Sequence, residues 1–157
     1  MQPRHKNVLF LCTGNYYRSR FAESLFNSLA TKMGLPWRAF SRGLALERGI
    51  NNVGPMAMVA VDALRNRGVC VGDDCARAPA QVAVKDFEAA DHVVALKRAE
   101  HLPLLQERYP DWTECVEFWD VADVPEALDL MEREVVALTA RLLTVRGMTQ
   151  ANQKRSR

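Results

Sequence analysis

Short, continuously apolar runs alternate along this chain with stretches whose apolar residues recur at helical spacing. That alternation narrows the fold more than any other feature. The first run is Val8-Leu9-Phe10-Leu11, apolar at every position, as expected of a strand covered on both faces. From Ser19 onward Phe21, Ala22, Leu25, Phe26, Leu29, Ala30 and Met33 follow a helical period, which Gly34 and Pro36 end. Residues 37–41 read as a second strand. Pro55 predicts the first position of a helix with Met56, Val59, Ala63 and Leu64 inward and Gly68 as its stop. Residues 69–81 carry no clear period. A short helix over 82–90, a strand over 92–96, a helix over 98–109 and a fourth strand over 115–119 follow. The last helix is marked by Leu128, Met131, Val135, Leu138 and Leu142, at spacings of three and four. Strands and helices in this order predict an α/β chain: one three-layer domain, a four-stranded parallel sheet with helices on both faces. Such sheets bind ligands beyond the carboxyl ends of their strands, which directs attention to the residues after Leu11.

At 157 residues the chain has the length of one domain, assigned to residues 1–147, with residues 148–157 as a basic, flexible tail ending Lys154-Arg155-Ser156-Arg157. Lys plus Arg number 21 against 19 Asp plus Glu, a balance that argues against a nucleic-acid partner or a polybasic membrane anchor. Arg4-His5-Lys6 before an apolar run ending in Cys12 mimics a lipoprotein signal. The run is five residues long, and a signal core needs about 7–15. No stretch approaches the roughly 18 apolar residues of a membrane span. The four cysteines Cys12, Cys70, Cys75 and Cys115 are too dispersed for a secreted disulfide framework, so a cytoplasmic protein is expected.

The first strand is followed by Cys12-Thr13-Gly14-Asn15-Tyr16-Tyr17-Arg18-Ser19, which leads straight into a helix. Backbone N–H groups of a tight loop that ends at a helix N-terminus form a concave anion site. Gly14 and Asn15 belong to the residue types that tolerate left-handed backbone. Arg18 adds a planar fork able to hold two phosphate oxygens. The same field favours a thiolate at Cys12, to which Ser19 can donate a hydrogen bond. A nucleophile and an oxyanion cradle are thus encoded in eight residues, with Thr13, Gly14, Asn15, Tyr16, Tyr17, Arg18 and Ser19 around the phosphate. A nucleotide P-loop does not fit, because no Lys-Ser/Thr follows a glycine here.

These residues resemble the low-molecular-weight protein tyrosine phosphatase family, whose signature Cys-x-Gly-Asn-x-x-Arg-Ser is matched at every fixed position by Cys12 to Ser19. Ser41-Arg42-Gly43 sits where the family has a Ser-x-Gly turn, and Ala90-Asp91 precedes the third strand as is usual there. The resemblance implies Cys12 as nucleophile, Arg18 as phosphate clamp, Asn15 as the loop-shaping residue and Ser19 as thiolate partner. It also implies a general acid in a loop after the fourth strand. In Trp119-Asp120-Val121-Ala122-Asp123-Val124-Pro125, Asp123 stands at the family's distance from the tryptophan but lacks the immediate proline, and Asp120 is the second candidate. Two positions depart from the family. Tyr17 stands where many members have a second loop cysteine, and Leu96-Lys97 stands where the family commonly has Met followed by an acid.

The expected activity is phosphomonoester hydrolysis on protein phosphotyrosine through a phosphocysteine intermediate, without metal or organic cofactor. The substrate is a phosphorylated protein or a small aryl phosphate; phosphoarginine and a modified metabolite stay open. Tyr16, Tyr17, Trp119 and the 44–52 segment, with Ile50, Asn51 and Asn52, are the expected rim for an aromatic ring. The expected assembly is a monomer or weak dimer. Arsenate reduction, performed by a sister branch with the same loop, is the alternative; Cys70 and Cys75 could serve its disulfide relay, but the sister branch places a resolving cysteine just after the third strand, where this chain has Lys97. A non-catalytic phosphate-binding module is the third reading, against which the thiol of Cys12 argues. A zinc site from Cys70, Cys75, His92 and His101 is disfavoured by the separation of the two histidines.

Overall fold

A computed structural model describes residues 4–155, and side chains throughout that span except at positions 74, 75 and 146–155. Four parallel strands form one sheet: β1 (Lys6–Cys12), β2 (Trp37–Gly43), β3 (His92–Ala95) and β4 (Val116–Phe118), in the order β2-β1-β3-β4. β1 pairs with β2 from Lys6 opposite Trp37 to Cys12 opposite Gly43. On its other edge it pairs with β3 from Val8 opposite His92 to Leu11 opposite Ala95. The strand order reverses direction at β1, so the crevice beyond its carboxyl end is the switch point at which such sheets hold ligands.

Alternation along the strands divides the interior into two layers. Val8, Phe10 and Val94 face one layer, closed by α1 (Arg18–Met33), α2 (Met58–Asn66) and α5 (Leu128–Arg155) through Phe21, Phe26, Leu64, Met131 and Val135. Leu9, Leu11 and Val93 face the other, closed by α3 (Val84–Ala89) and α4 (Arg98–Arg108) through Phe87, Leu104 and Leu105. Each of these large side chains contributes about 1.5–3 kcal/mol by leaving water. That places the two apolar layers as what holds the sheet between its helices.

The architecture is the one expected, with local corrections. The helix predicted from Pro55 begins at Met58. Tertiary hydrogen bonds take the backbone of the preceding residues: Arg20 Nη1 donates to the Pro55 carbonyl (3.0 Å), and the Ala57 N–H donates to the Tyr16 carbonyl (3.0 Å). Val59, expected inward, is exposed, because Ala60, Val61 and Leu64 set the buried face of α2. Cys115, expected in the fourth strand, belongs to the turn before it. In α5 Met131, Val135 and Leu138 are buried as their spacing predicts. The helix continues to Arg155, and residues 156 and 157 of the basic end lie outside the described residues.

Candidate active site

The carboxyl ends of all four strands supply the site. β1 leads into residues 12–18, which turn back into α1. Tyr17 is the N-cap position of α1 and gives it no side-chain cap, and the first turn carries no acid, so its leading amides are available to an anion. Asn15 has φ 51°, the left-handed conformation the loop needs, and it is the one described non-glycine residue with positive φ. Its side chain holds that conformation by four hydrogen bonds. Nδ2 donates to Ser19 Oγ (2.9 Å) and Ser41 Oγ (3.0 Å), while Oδ1 accepts from the Ala80 N–H (3.0 Å) and Arg77 Nη1 (3.3 Å). Asn15 is fully buried and lies behind the loop, shaping it without lining the cleft.

Gly14, expected to share the left-handed backbone, does not adopt it. The glycine that the loop demands most strictly is Gly43, at the end of β2. A Cβ there would stand 2.8 Å from the Thr13 carbonyl oxygen and 3.1 Å from the Asn15 nitrogen, so the loop rests directly on the Gly43 backbone.

Cys12 is buried but lines a cleft of about 290 Å³. Its Sγ lies 2.9 Å from Ser19 Oγ. Because that oxygen already accepts from Asn15, the serine proton is directed at the sulfur. Arg18 enters the same cleft with its guanidinium gripped by Glu100: Nη1 donates to Oε2 (2.6 Å) and Nη2 to Oε1 (2.9 Å). A second proton of Nη1 goes to the Val121 carbonyl (3.1 Å). Of the five N–H donors of a guanidinium, the Nε–H and one Nη2–H are left side by side, the pair that fits two oxygens of one phosphate. Asp123 stands next to them, with Oδ1 3.7 Å from Arg18 Nε.

Glu100 is the residue the sequence reading missed. It sits in the first turn of α4, beyond the carboxyl end of β3, and accepts the Thr13 hydroxyl proton as well (2.9 Å). Burial alone raises its carboxyl, but the bonds and charge of Arg18 overcome that and hold it at about 2, so it is a carboxylate. Its neighbour His101 is fully buried, accepts the Lys97 N–H at Nδ1 (3.0 Å) and so carries its proton on Nε2, 3.2 Å from Thr13 Oγ1. Burial first, and the charge of Arg18 second, push His101 down to about 4. The signal available in the sequence was positional: an acid within one helical turn of a strand's carboxyl end.

The cleft is lined by Cys12, Thr13, Gly14, Tyr16, Tyr17, Arg18, Arg48, Gly49, Asn52, Glu100 and Asp123. Of the 44–52 segment expected at its rim, Arg48, Gly49 and Asn52 line the cleft, where Gly49 packs against Gly14, while Ile50 and Asn51 are exposed outside it. Trp119, also expected there, is a core residue packed on Phe10 with its indole N–H on Glu117. Tyr16 and Tyr17 do line the cleft, Tyr17 from a buried position. Asp120 pairs with Lys97 (2.8 Å) away from the cleft lining, which leaves Asp123 as the carboxylate beside Arg18 on that loop. Among the described residues Cys12 is the cysteine that lines the cleft; Cys70 is exposed elsewhere, and the side chain of Cys75 lies outside the described residues. His92 faces Glu117 while His101 faces Thr13, so the two histidines serve different networks.

The family model described as low molecular weight phosphotyrosine protein phosphatase matches residues 7–142. The low molecular weight protein-tyrosine-phosphatase YfkJ of Bacillus subtilis (strain 168) is 32% identical over 133 residues, 76% of this chain and 79% of that protein. In structural superposition the YfkJ crystal structure covers 92% of this chain and 98% of its own, with a TM-score of 0.76 at 23% identity. The low molecular weight protein tyrosine phosphatase from T. tengcongensis covers 88% and 98%, with a TM-score of 0.70 at 26% identity.

Proposed function

Because the chain belongs to the low molecular weight phosphotyrosine protein phosphatase family and is a phosphatase of that kind, we propose that it hydrolyses phosphotyrosine on proteins with Cys12 as nucleophile, Arg18 as phosphate clamp and Asp123 as general acid. The observation that carries the reading is the convergence of Cys12, the open edge of Arg18 and Asp123 on one cleft. The Cys12 thiolate attacks phosphorus in line; the S–P bond forms as the ester P–O bond breaks. Asp123 gives its proton to the departing phenolic oxygen, whose conjugate acid has a pKa of about 10 and leaves poorly unaided. In the second step the Asp123 carboxylate takes a proton from water, the water oxygen attacks phosphorus, and the S–P bond breaks to return the thiolate and inorganic phosphate. Loop amides and Arg18 stabilise the equatorial oxygens in both steps. Ser19 stabilises the sulfur each time it carries negative charge.

The half-buried Tyr16 at the cleft supports an aromatic ester as substrate, since a ring face suits the leaving phenol. No helix among the described residues is long and apolar enough to cross a membrane. The reading puts the enzyme in the cytoplasm, where a thiolate nucleophile stays reduced. The deciding experiment is hydrolysis of phosphotyrosine peptide and of aryl phosphates by wild type, Cys12→Ser and Asp123→Ala. Cys12→Ser should abolish turnover, and Asp123→Ala should lose about 10²–10⁴ on phenolic esters but far less on activated ones. Turnover surviving in Cys12→Ser would refute the nucleophile assignment.

A further inference from the structure

The loop that carries Asp123 has few side-chain tethers of its own. The Asp123 side chain is 66% exposed, and its polar partner among the described residues is Arg18 Nε at 3.7 Å, longer than a hydrogen bond. Val124 beside it is exposed. What fixes this loop against the cleft is a pair of hydrogen bonds from two adjacent residues at the start of α1. Arg18 Nη1 donates to the Val121 carbonyl (3.1 Å), and the Tyr17 hydroxyl donates to the Val124 carbonyl (3.0 Å). The accepting carbonyls lie two residues before and one residue after Asp123, so they bracket it. We infer that Tyr17 is a positioning residue for the general acid, its hydroxyl holding the downstream side of the Asp123 loop against the phosphate-binding loop.

Several observations support this. Tyr17 is buried among apolar residues of the layer that contains α1 and α5, so its ring is fixed by packing and only its hydroxyl reaches the acid loop. Burial, and then the charge of Asp123, push the phenol up to about 12, so it remains a donor throughout the pH range in which an enzyme works. Residue 17 lies in the segment that carries both the nucleophile and the clamp, which makes the bond a direct brace between the two halves of the reaction centre. A residue as short as cysteine at position 17 has neither the length nor the donor strength to make that brace. The upstream side of the loop is secured independently, by the Val121 N–H on the Leu96 carbonyl (2.7 Å). Loss of the tyrosine hydroxyl should therefore loosen the Asp123 side and leave the entry from β4 in place.

The inference rests on Asp123 acting as general acid, so the test includes that residue. Values of kcat/KM are measured for wild type, Tyr17→Phe, Asp123→Asn and the double variant on aryl phosphates whose leaving phenols span a range of acidity, with thermal unfolding of each protein. Phenylalanine keeps the ring packing and removes only the hydroxyl. Tyr17→Phe should lose about tenfold on the least acidic phenols and be near wild type on the most acidic, because only poor leaving groups need the proton. Asp123→Asn should show the same trend more steeply, and the double variant should be no worse than Asp123→Asn alone. If Asp123→Asn steepens the dependence while Tyr17→Phe follows wild type, or loses equally on every ester, the positioning role is overturned. If Asp123→Asn loses equally on every ester, the acid assignment itself falls and this inference with it.

Discussion

His101 gives the structure a stability that depends on pH in a defined window. The ring is fully buried, accepts the Lys97 N–H at Nδ1 and meets Thr13 Oγ1 at Nε2, so a second proton has no acceptor to meet at Nδ1 and would displace the Lys97 bond. Burial and the neighbouring Arg18 charge lower its pKa from 6.5 to about 4, against the opposing pull of the Glu100 carboxylate. A histidine whose folded value is depressed binds its proton first in the unfolded chain. Stability is then full above about 6.5 and falls with pH until about 4. The whole shift corresponds to about 3 kcal/mol, and about 2 kcal/mol of it is lost between pH 7 and pH 5. Glu100, whose folded value is about 2, loses its contribution only as the pH falls below its ordinary value of 4.5, beneath the interval from pH 7 to pH 5. Urea unfolding of wild type and His101→Gln at pH 7, 6, 5.5 and 5 measures the effect. Wild type should lose about 2 kcal/mol across the series and the variant little, whatever their absolute stabilities. Parallel loss in the two proteins would refute the reasoning.

Two further substitutions probe the cup and its neighbour. Glu100→Gln removes the carboxylate that neutralises Arg18, so the competitive inhibition constant for inorganic phosphate should drop about fivefold while kcat falls as the fork loses its anchor. Weaker phosphate binding would instead make Glu100 a purely steric support. Gly43→Ala forces a methyl group against the Thr13 carbonyl and the Asn15 nitrogen, and should cost about 1–3 kcal/mol by chemical denaturation together with most phosphatase activity. A stable, fully active Gly43→Ala enzyme would show that the loop shifts freely, contrary to its contact with β2.

Much of the site was legible because it is local. Residues 8–33 contain a strand, the loop and a helix in sequence, and the chemistry of Cys12, Asn15, Arg18 and Ser19 depends on backbone turns that these residues impose on one another within a few positions. Asn15 shows both sides of the matter. Its residue type foretold the left-handed turn, yet the four bonds that hold the turn come from Ser19, Ser41, Arg77 and Ala80, brought together by the pairing of β1 with β2 and by the bridge from Gly43 to Gln81. Trp119 was misplaced because an aromatic residue at the end of a strand can face either the ligand or the core, and here it packs on Phe10. The start of α2 was misplaced because Pro55 and Ala57 give their backbone groups to Arg20 and Tyr16, contacts that no local pattern records.

From the amino-acid order alone came the alternation that makes a parallel sheet, the thiol at its edge and the cation that faces an anion, since apolar periodicity and loop residue types act over short stretches of chain. Tertiary structure alone decided that Glu100, far along the chain, holds Arg18, that His101 is kept neutral, and that Tyr17 reaches over to the loop of Asp123. Such contacts follow from the order in which strands lie side by side and from the volume left between helices, quantities set only when both apolar layers have closed.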